Sequence, residues 1–188
     1  MGTKGQIAIL TGVPGSLNLE QRIQGFENAL GDYPDIEIVS IVYSDDLASR
    51  SVEVVEKVME EHPDLDGWFF VGLWPVFAGR GAMPHWEEAA QKRHMITIAF
   101  DTLPLEIALM EDGFFQGLVG QKYWGWGYDT IGMLYDHVLY DREFDDFTDS
   151  GLDIVTPLNV AAMKKSWETN DFSQPLPDPF EQATDTDD

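Results

Sequence analysis

The 188-residue chain carries 34 acidic against 11 basic side chains, a formal net charge of -23, and no cysteine. A surface this negative repels phosphate backbones and so excludes ordinary nucleic-acid binding, and without thiols there is neither a disulfide framework nor a thiolate metal or redox site. An apolar content of 44% is that of a globular protein, and the length suits one domain with appendages. The charge itself has two readings: plain self-repulsion in an acidic protein, or adaptation to high salt, where counterions screen the repulsion.

Residues 1–6 run straight into an apolar stretch with no signal region, and Gln6 stands where a myristoylation pattern needs Ser or Thr. Residues 6–11 form a continuous run ending at Gly12, which predicts a buried parallel strand. A turn at Gly12-Val13-Pro14-Gly15 leads to a helix capped by Ser16 or Asn18, with Leu19, Ile23, Phe26 and Leu30 at helical spacing. Residues 36–43 predict a second strand, and Ser44 or Asp45 a cap for a helix that turns Leu47, Val54, Val55 and Val58 inward. His62-Pro63 stops it.

A third strand over 67–72 centres on Trp68-Phe69-Phe70-Val71, followed by a short helix opened by Pro84 that carries Trp86, Ala89 and Ala90. The apolar stretch 67–79 is too short for a membrane span. Residues 95–100 predict a fourth strand ending at Asp101, then a helix from Pro104 closed by Gly113. A short fifth strand over 117–120 ends at Gln121, and a longer helix follows with Tyr128, Ile131, Leu134, Tyr135 and Val138 on one side. Residues 141–153 read as an acidic loop, 154–156 as one more strand and 160–167 as a terminal helical turn or two. The expected architecture is α/β: a doubly wound three-layer sandwich around a mostly parallel sheet, spanning 4–167. The acidic, Pro-containing segment 168–188 is expected to be a loosely held, disordered tail.

Open α/β sheets bind ligands beyond the carboxyl ends of their strands, which brings Arg22, Asp101 and Gln121 forward. Arg22 offers a fork of donors for vicinal hydroxyls or a carboxylate, or else simply pairs with a surface acid. Asp101 can accept from a sugar diol, or can cap the helix that starts near Pro104. Gln121 can donate and accept at once. Trp74, Phe77, Tyr123, Trp124 and Trp126 lie just past strand ends, where flat rings suit the C–H faces of sugars or fill core. Enzyme signatures are missing: no G-x-S-x-G elbow, no phosphate loop, no dinucleotide fingerprint. His62, His85, His94 and His137 are scattered without metal spacing, and the 141–153 run lacks the Gly and Glu of a calcium loop.

Several motifs together resemble the second lobe of type I periplasmic sugar-binding proteins. They are Thr11-Gly12-Val13-Pro14-Gly15 with Asn18-Leu19 and Arg22 ahead of Gly25-Phe26, His62-Pro63-Asp64-Leu65-Asp66-Gly67, Phe100-Asp101-Thr102, and Val119-Gly120-Gln121. Gly151-Leu152-Asp153-Ile154-Val155-Thr156 with Asn159-Val160 is similar to the ending of one sugar-transporter branch. The likeness runs from about Lys4 to Trp167 and leaves the family's first lobe without a counterpart.

The resemblance implies a non-catalytic receptor that binds a small sugar for an ABC permease, in the periplasm or outside the cell, with no cofactor and no metal. It implies sugar contacts from Arg22, Asp101 and Gln121, with Trp74 and Tyr123 as walls. Leu73-Trp74-Pro75 replaces the family's usual polar residue and makes that wall bulkier. Weak sugar affinity and a homodimer through the surface left by the absent lobe are further expectations. Two alternatives stay open: a sensory ligand-binding domain of a regulator, and a small α/β hydrolase or isomerase using Asp101.

Overall fold

Alternating apolar and polar runs build an α/β fold in the computed structural model, which describes residues 4–92 and 95–181. Strands β1 (Lys4–Thr11), β2 (Asp35–Tyr43), β3 (Gly67–Phe70), β4 (Ile96–Phe100), β5 (Gly117–Gln121) and β6 (Leu152–Val155) form one sheet in the order β2-β1-β3-β4-β5-β6. The first five run parallel, and β6 pairs antiparallel with β5, Gln121 opposite Leu152. Helices α1 (Leu17–Leu30), α2 (Ala48–Glu61), α3 (Pro84–Lys92), α4 (Pro104–Glu111), α5 (Tyr123–Tyr140) and α6 (Val160–Thr169) connect them. The doubly wound expectation holds.

The strand order reverses direction once, between β1 and β3. With right-handed crossovers, the step from β1 to β2 puts α1 on one face, and the later steps put α2, α3 and α4 on the other. The core follows this division. Val54, Val55 and Val58 of α2, Trp86 and Ala89 of α3, Ile107 of α4 and Met163 of α6 share one large cluster with Phe70, Ala99 and Leu118 of the sheet. Opposite it, α1 packs Leu19 and Ile23, with the partly buried Phe26 beside them, onto Ile9, Phe69 and Val71. Trp86 is the centre of the larger side: its ring meets Phe70, Phe114 and Phe115, and its indole N–H donates to Thr97 Oγ1 at 3.1 Å. Glu56 of α2 accepts the backbone N–H groups of His85 and Trp86, so one helix caps the next.

Three expectations need correction. Helix α2 begins after Leu47 rather than at a Ser44 or Asp45 cap, because Asp45 and Asp46 take left-handed backbone (φ 52° and 58°) and Ser44 instead donates to the Thr11 carbonyl. The last strand covers Leu152–Val155, two residues ahead of its sequence position, because pairing with β5 sets its register. Residues 168–181 do not trail free. Phe172 and Leu176 pack against the core, Phe172 edge-on to Trp167, and Asn159 donates to the Pro177 carbonyl at 2.9 Å. Residues 182–188 lie outside the described part of the expected tail.

Candidate functional site

Four of the five residues singled out from sequence meet at the carboxyl ends of β4 and β5. Asp101 follows β4 and extends the ladder by one bond, its N–H donating to Val119 at 2.9 Å. There the chain turns through φ 85°, a left-handed conformation that costs a non-glycine residue of order 1–3 kcal/mol. The turn directs the carboxylate into the strand edge, where Asp101 is only 4% exposed. Gln121, at the end of β5, donates from Nε2 to Asp101 Oδ1 at 2.6 Å, and the Tyr123 hydroxyl donates to the same oxygen. Oδ2 has no hydrogen-bond partner among the described residues. Asp101 does not cap α4. Leu103 holds that place, and Glu106 accepts the Leu103 N–H at 3.0 Å.

Arg22 reaches this cluster from α1. Its Nη1 donates to the Val71 carbonyl at 2.8 Å, and its guanidinium lies over the Phe100 ring, 4.2 Å from the centroid. Half-burial lowers its pKa from the ordinary value, while Asp101 and then Tyr123 act against that shift. The guanidinium forms no direct ion pair among the described residues, so most of its five N–H donors are uncommitted. Burial, then the hydrogen bond to Asp101, pushes the Tyr123 phenol well above its ordinary range and keeps it a proton donor. The carboxylate at the centre is thus held by two donors and faces a third group of opposite charge.

Trp74 stands apart, at the point where the strand order reverses. It opens a 3-10 turn, Trp74–Ala78, and lies so close over the ends of β1 and β3 that a Cβ on Gly12 or Gly72 would come within 2.8 Å of its ring. The indole therefore fills the crevice where a doubly wound sheet ordinarily receives its ligand. Tyr123 differs from its expected part as a wall. Its ring packs edge-on to Trp126 at 5.6 Å while its hydroxyl serves the carboxylate.

Three contributors escaped the sequence reading: Phe100, as the platform under Arg22; the Val71 carbonyl, which fixes the guanidinium; and Glu106. Glu106 is completely buried, its Oε1 lacks a partner, and burial, reinforced by Asp101, pushes its pKa up to about 9. Only the Pro104–Glu106 spacing, a helix start with an acid at its third position, could have drawn attention to it.

Two cavities flank Gln121. One, of about 570 Å³, lies on the α1 side against Arg22, Phe26, Phe69, Phe100 and Trp126. The other, of about 590 Å³, lies between the first turn of α5, α6 and the segment after it, against Tyr123, Trp124, Asp153, Trp167 and Phe172. Burial raises the Asp153 pKa, opposed by Lys122 at 3.8 Å.

Comparison with known proteins gives the family and the fold. A family model described as a periplasmic binding protein domain matches residues 1–141. A solute-binding protein of an ABC transporter from Burkholderia graminis, solved with D-arabinose, is 29% identical with a TM-score of 0.74, over 92% of this chain and 56% of that one. A carbohydrate transporter solute-binding protein from Agrobacterium radiobacter, also with D-arabinose, is 25% identical with a TM-score of 0.75, over 87% of this chain and 55% of that one. The xylose/arabinose-binding protein XylF of Sulfolobus acidocaldarius is 23% identical over 172 residues, 90% of this chain and 39% of that protein. The chain therefore spans about half the length of these solved relatives and less of the curated one. With the family model matching most of its length, the chain belongs to the periplasmic binding protein domain family.

Proposed function

We propose that this chain supplies one wall of a sugar-binding site in a solute receptor that serves an ABC permease, in the periplasm or outside the cell. The observation that carries the reading is Asp101: a buried carboxylate on strained backbone, with one oxygen saturated by Gln121 and Tyr123, the other unpartnered among the described residues, and the group as a whole electrostatically coupled to Arg22. An acceptor beside a fork of donors matches the two hydroxyls of a vicinal diol, each of which both donates and accepts. Trp74 and Phe100 add the flat apolar surfaces that sugar C–H faces favour. No step of bond breaking is asked of these groups; the site binds.

One wall gives little closure and little desolvation, so the chain by itself is expected to bind D-arabinose or D-xylose weakly, at roughly millimolar affinity. Titration of backbone amide resonances by NMR tests this. Shifts concentrated at Arg22, Asp101 and Gln121, and lost in Asp101→Asn, support the reading. Micromolar binding by calorimetry would overturn the one-wall account, and shifts elsewhere on the surface would overturn the site.

A further inference from the structure

Asp101 owes its place to backbone that a non-glycine residue adopts only under constraint, the left-handed turn at φ 85°. Such a conformation persists where its surroundings over-determine it, and the turn Asp101-Thr102-Leu103 is held at every residue. The Asp101 N–H donates to the Val119 carbonyl of β5 at 2.9 Å. Thr102, 3% exposed, lies so close on β5 that a Cβ on Gly120 would come within 2.7 Å of its hydroxyl oxygen. Its carbonyl accepts the indole N–H of Trp167 at 2.7 Å. The Leu103 N–H donates to Glu106 at 3.0 Å.

The last two of these contacts come from side chains outside the sheet. Trp167 reaches in from α6, 65 residues further along the chain, and Phe172 braces its ring edge-on at 5.0 Å. Glu106 is completely buried in the first turn of α4. Burial, reinforced by Asp101, pushes its pKa up to about 9, so at neutral pH it accepts as an uncharged acid. An ionised group there would set a second carboxylate against Asp101. Neither Trp167 nor Glu106 lines the cavity beside Arg22 and Phe100, so neither is a wall of it.

We propose that Trp167 and Glu106 are positioning residues of the sugar site: by holding the Thr102 carbonyl and the Leu103 N–H, they keep the turn that aims the Asp101 carboxylate. The proposal rests on the reading of Asp101 as an acceptor for sugar hydroxyls. A turn released at either point relaxes toward ordinary backbone, and the carboxylate moves away from Gln121 and Arg22. A neutral hydrogen bond biases such an equilibrium by about two- to tenfold. Both contacts join groups within the fold, so they stand beside any further polypeptide that meets the strand ends.

Amide hydrogen exchange and D-arabinose titration by NMR, on the native chain and three variants, test the proposal. Trp167→Phe keeps a ring against Phe172 and loses the indole donor. Glu106→Met keeps the volume and loses the acceptor, whereas Glu106→Gln keeps an oxygen for the Leu103 N–H. The readout is the Asp101 N–H, because its own partner, Val119, is untouched in all three. Trp167→Phe and Glu106→Met should each speed its exchange by about two- to tenfold, leave the β3 amides unchanged and weaken arabinose binding to a similar degree. Glu106→Gln should behave as the native chain does. Unchanged exchange at Asp101, acceleration that extends equally through β3, or a Gln variant that behaves like the Met variant overturns the proposal and leaves both groups as packing. Faster exchange with unaltered arabinose affinity overturns it too, since the turn then aims nothing that the sugar needs. Should the native chain show no arabinose shifts while both variants still loosen Asp101, the pinning stands and the sugar reading alone falls.

Discussion

The two faces of the sheet differ in how completely they are packed, and the difference separates what holds the strands together from what is left at their ends. Under α2, α3, α4 and α6 the side chains interlock: Trp86, Phe70, Phe114 and Phe115 are all buried to 1% exposure or less, and even the indole N–H is satisfied. Under α1 the packing is a single layer, Phe26 stacked on Phe69 at 4.5 Å, and it thins out toward β5. The closed face holds the strands in register. The open side and the strand ends it borders carry the charged and strained groups, Arg22 and Asp101, that a closed face could not accommodate.

The sharpest way to break this comparison is to remove one large ring from each side. Trp86→Ala should cost about 3–5 kcal/mol by urea unfolding, since it leaves a cavity among three aromatic rings and orphans Thr97 Oγ1. Phe26→Ala, half exposed on α1, should cost about 1–2 kcal/mol. Equal losses would mean that the α1 face is covered in solution.

Next in size is the response to salt, which acts on both faces together. A net charge of -23 opposes the compact state, so the melting temperature should climb by several degrees from low to molar salt. A flat response would remove salt adaptation as the reason for the acidic surface. The ion pairs present, such as Lys92–Glu88 and Arg50–Glu53, are exposed and contribute little in either direction.

Glu106 sharpens the comparison within the closed face, where it is the one buried acid at the rim beside Asp101. Its folded-state pKa of about 9 lies above the unfolded value of 4.5, so the folded protein holds a proton that the unfolded chain has released. The stabilising contribution is whole below pH 4.5 and declines as pH rises toward 9, by at most about 1.4 kcal/mol per pH unit. Glu106→Gln keeps the oxygen that accepts the Leu103 N–H and removes the ionisation. Its unfolding free energy should therefore lose most of this slope and exceed that of the native chain at pH 8. An unchanged slope would assign the pH response to other groups.

Much of this layout was legible in the residues because it is local or periodic. Strand-length apolar runs and helical stripes gave the alternation, and the strand-end rule was enough to place Arg22, Asp101 and Gln121 at one edge. What was hidden depends on partners distant in sequence. Pairing with Gln121 moved β6 to Leu152, and the turn at Asp45 and Asp46 displaced the start of α2. Phe172 and Leu176 bind a segment whose average composition is that of a loose tail, because two well-placed apolar residues matter more than the mean. The partner of the Tyr123 hydroxyl was hidden for a similar reason: an aromatic past a strand end reads as a flat wall, and the carboxylate its hydroxyl serves lies 22 residues away in sequence.

Trp74 gives the smallest effect and the finest test of where the two regions meet. Its indole sits on Gly12 and Gly72, at the reversal point of the strand order, so it either narrows the binding edge or only fills a crevice. Trp74→Ala separates these. As a wall, its loss should weaken D-arabinose binding by roughly three- to tenfold, the equivalent of the 0.5–1.5 kcal/mol that a favourable ring contact contributes. As filler, its loss leaves the sugar titration unchanged and appears only as lower stability, because the α1-side cluster loses a neighbour. The expected result is a change in both, with the binding loss greater for a ligand whose C–H face is broader, since a larger flat surface has more to lose from an absent ring.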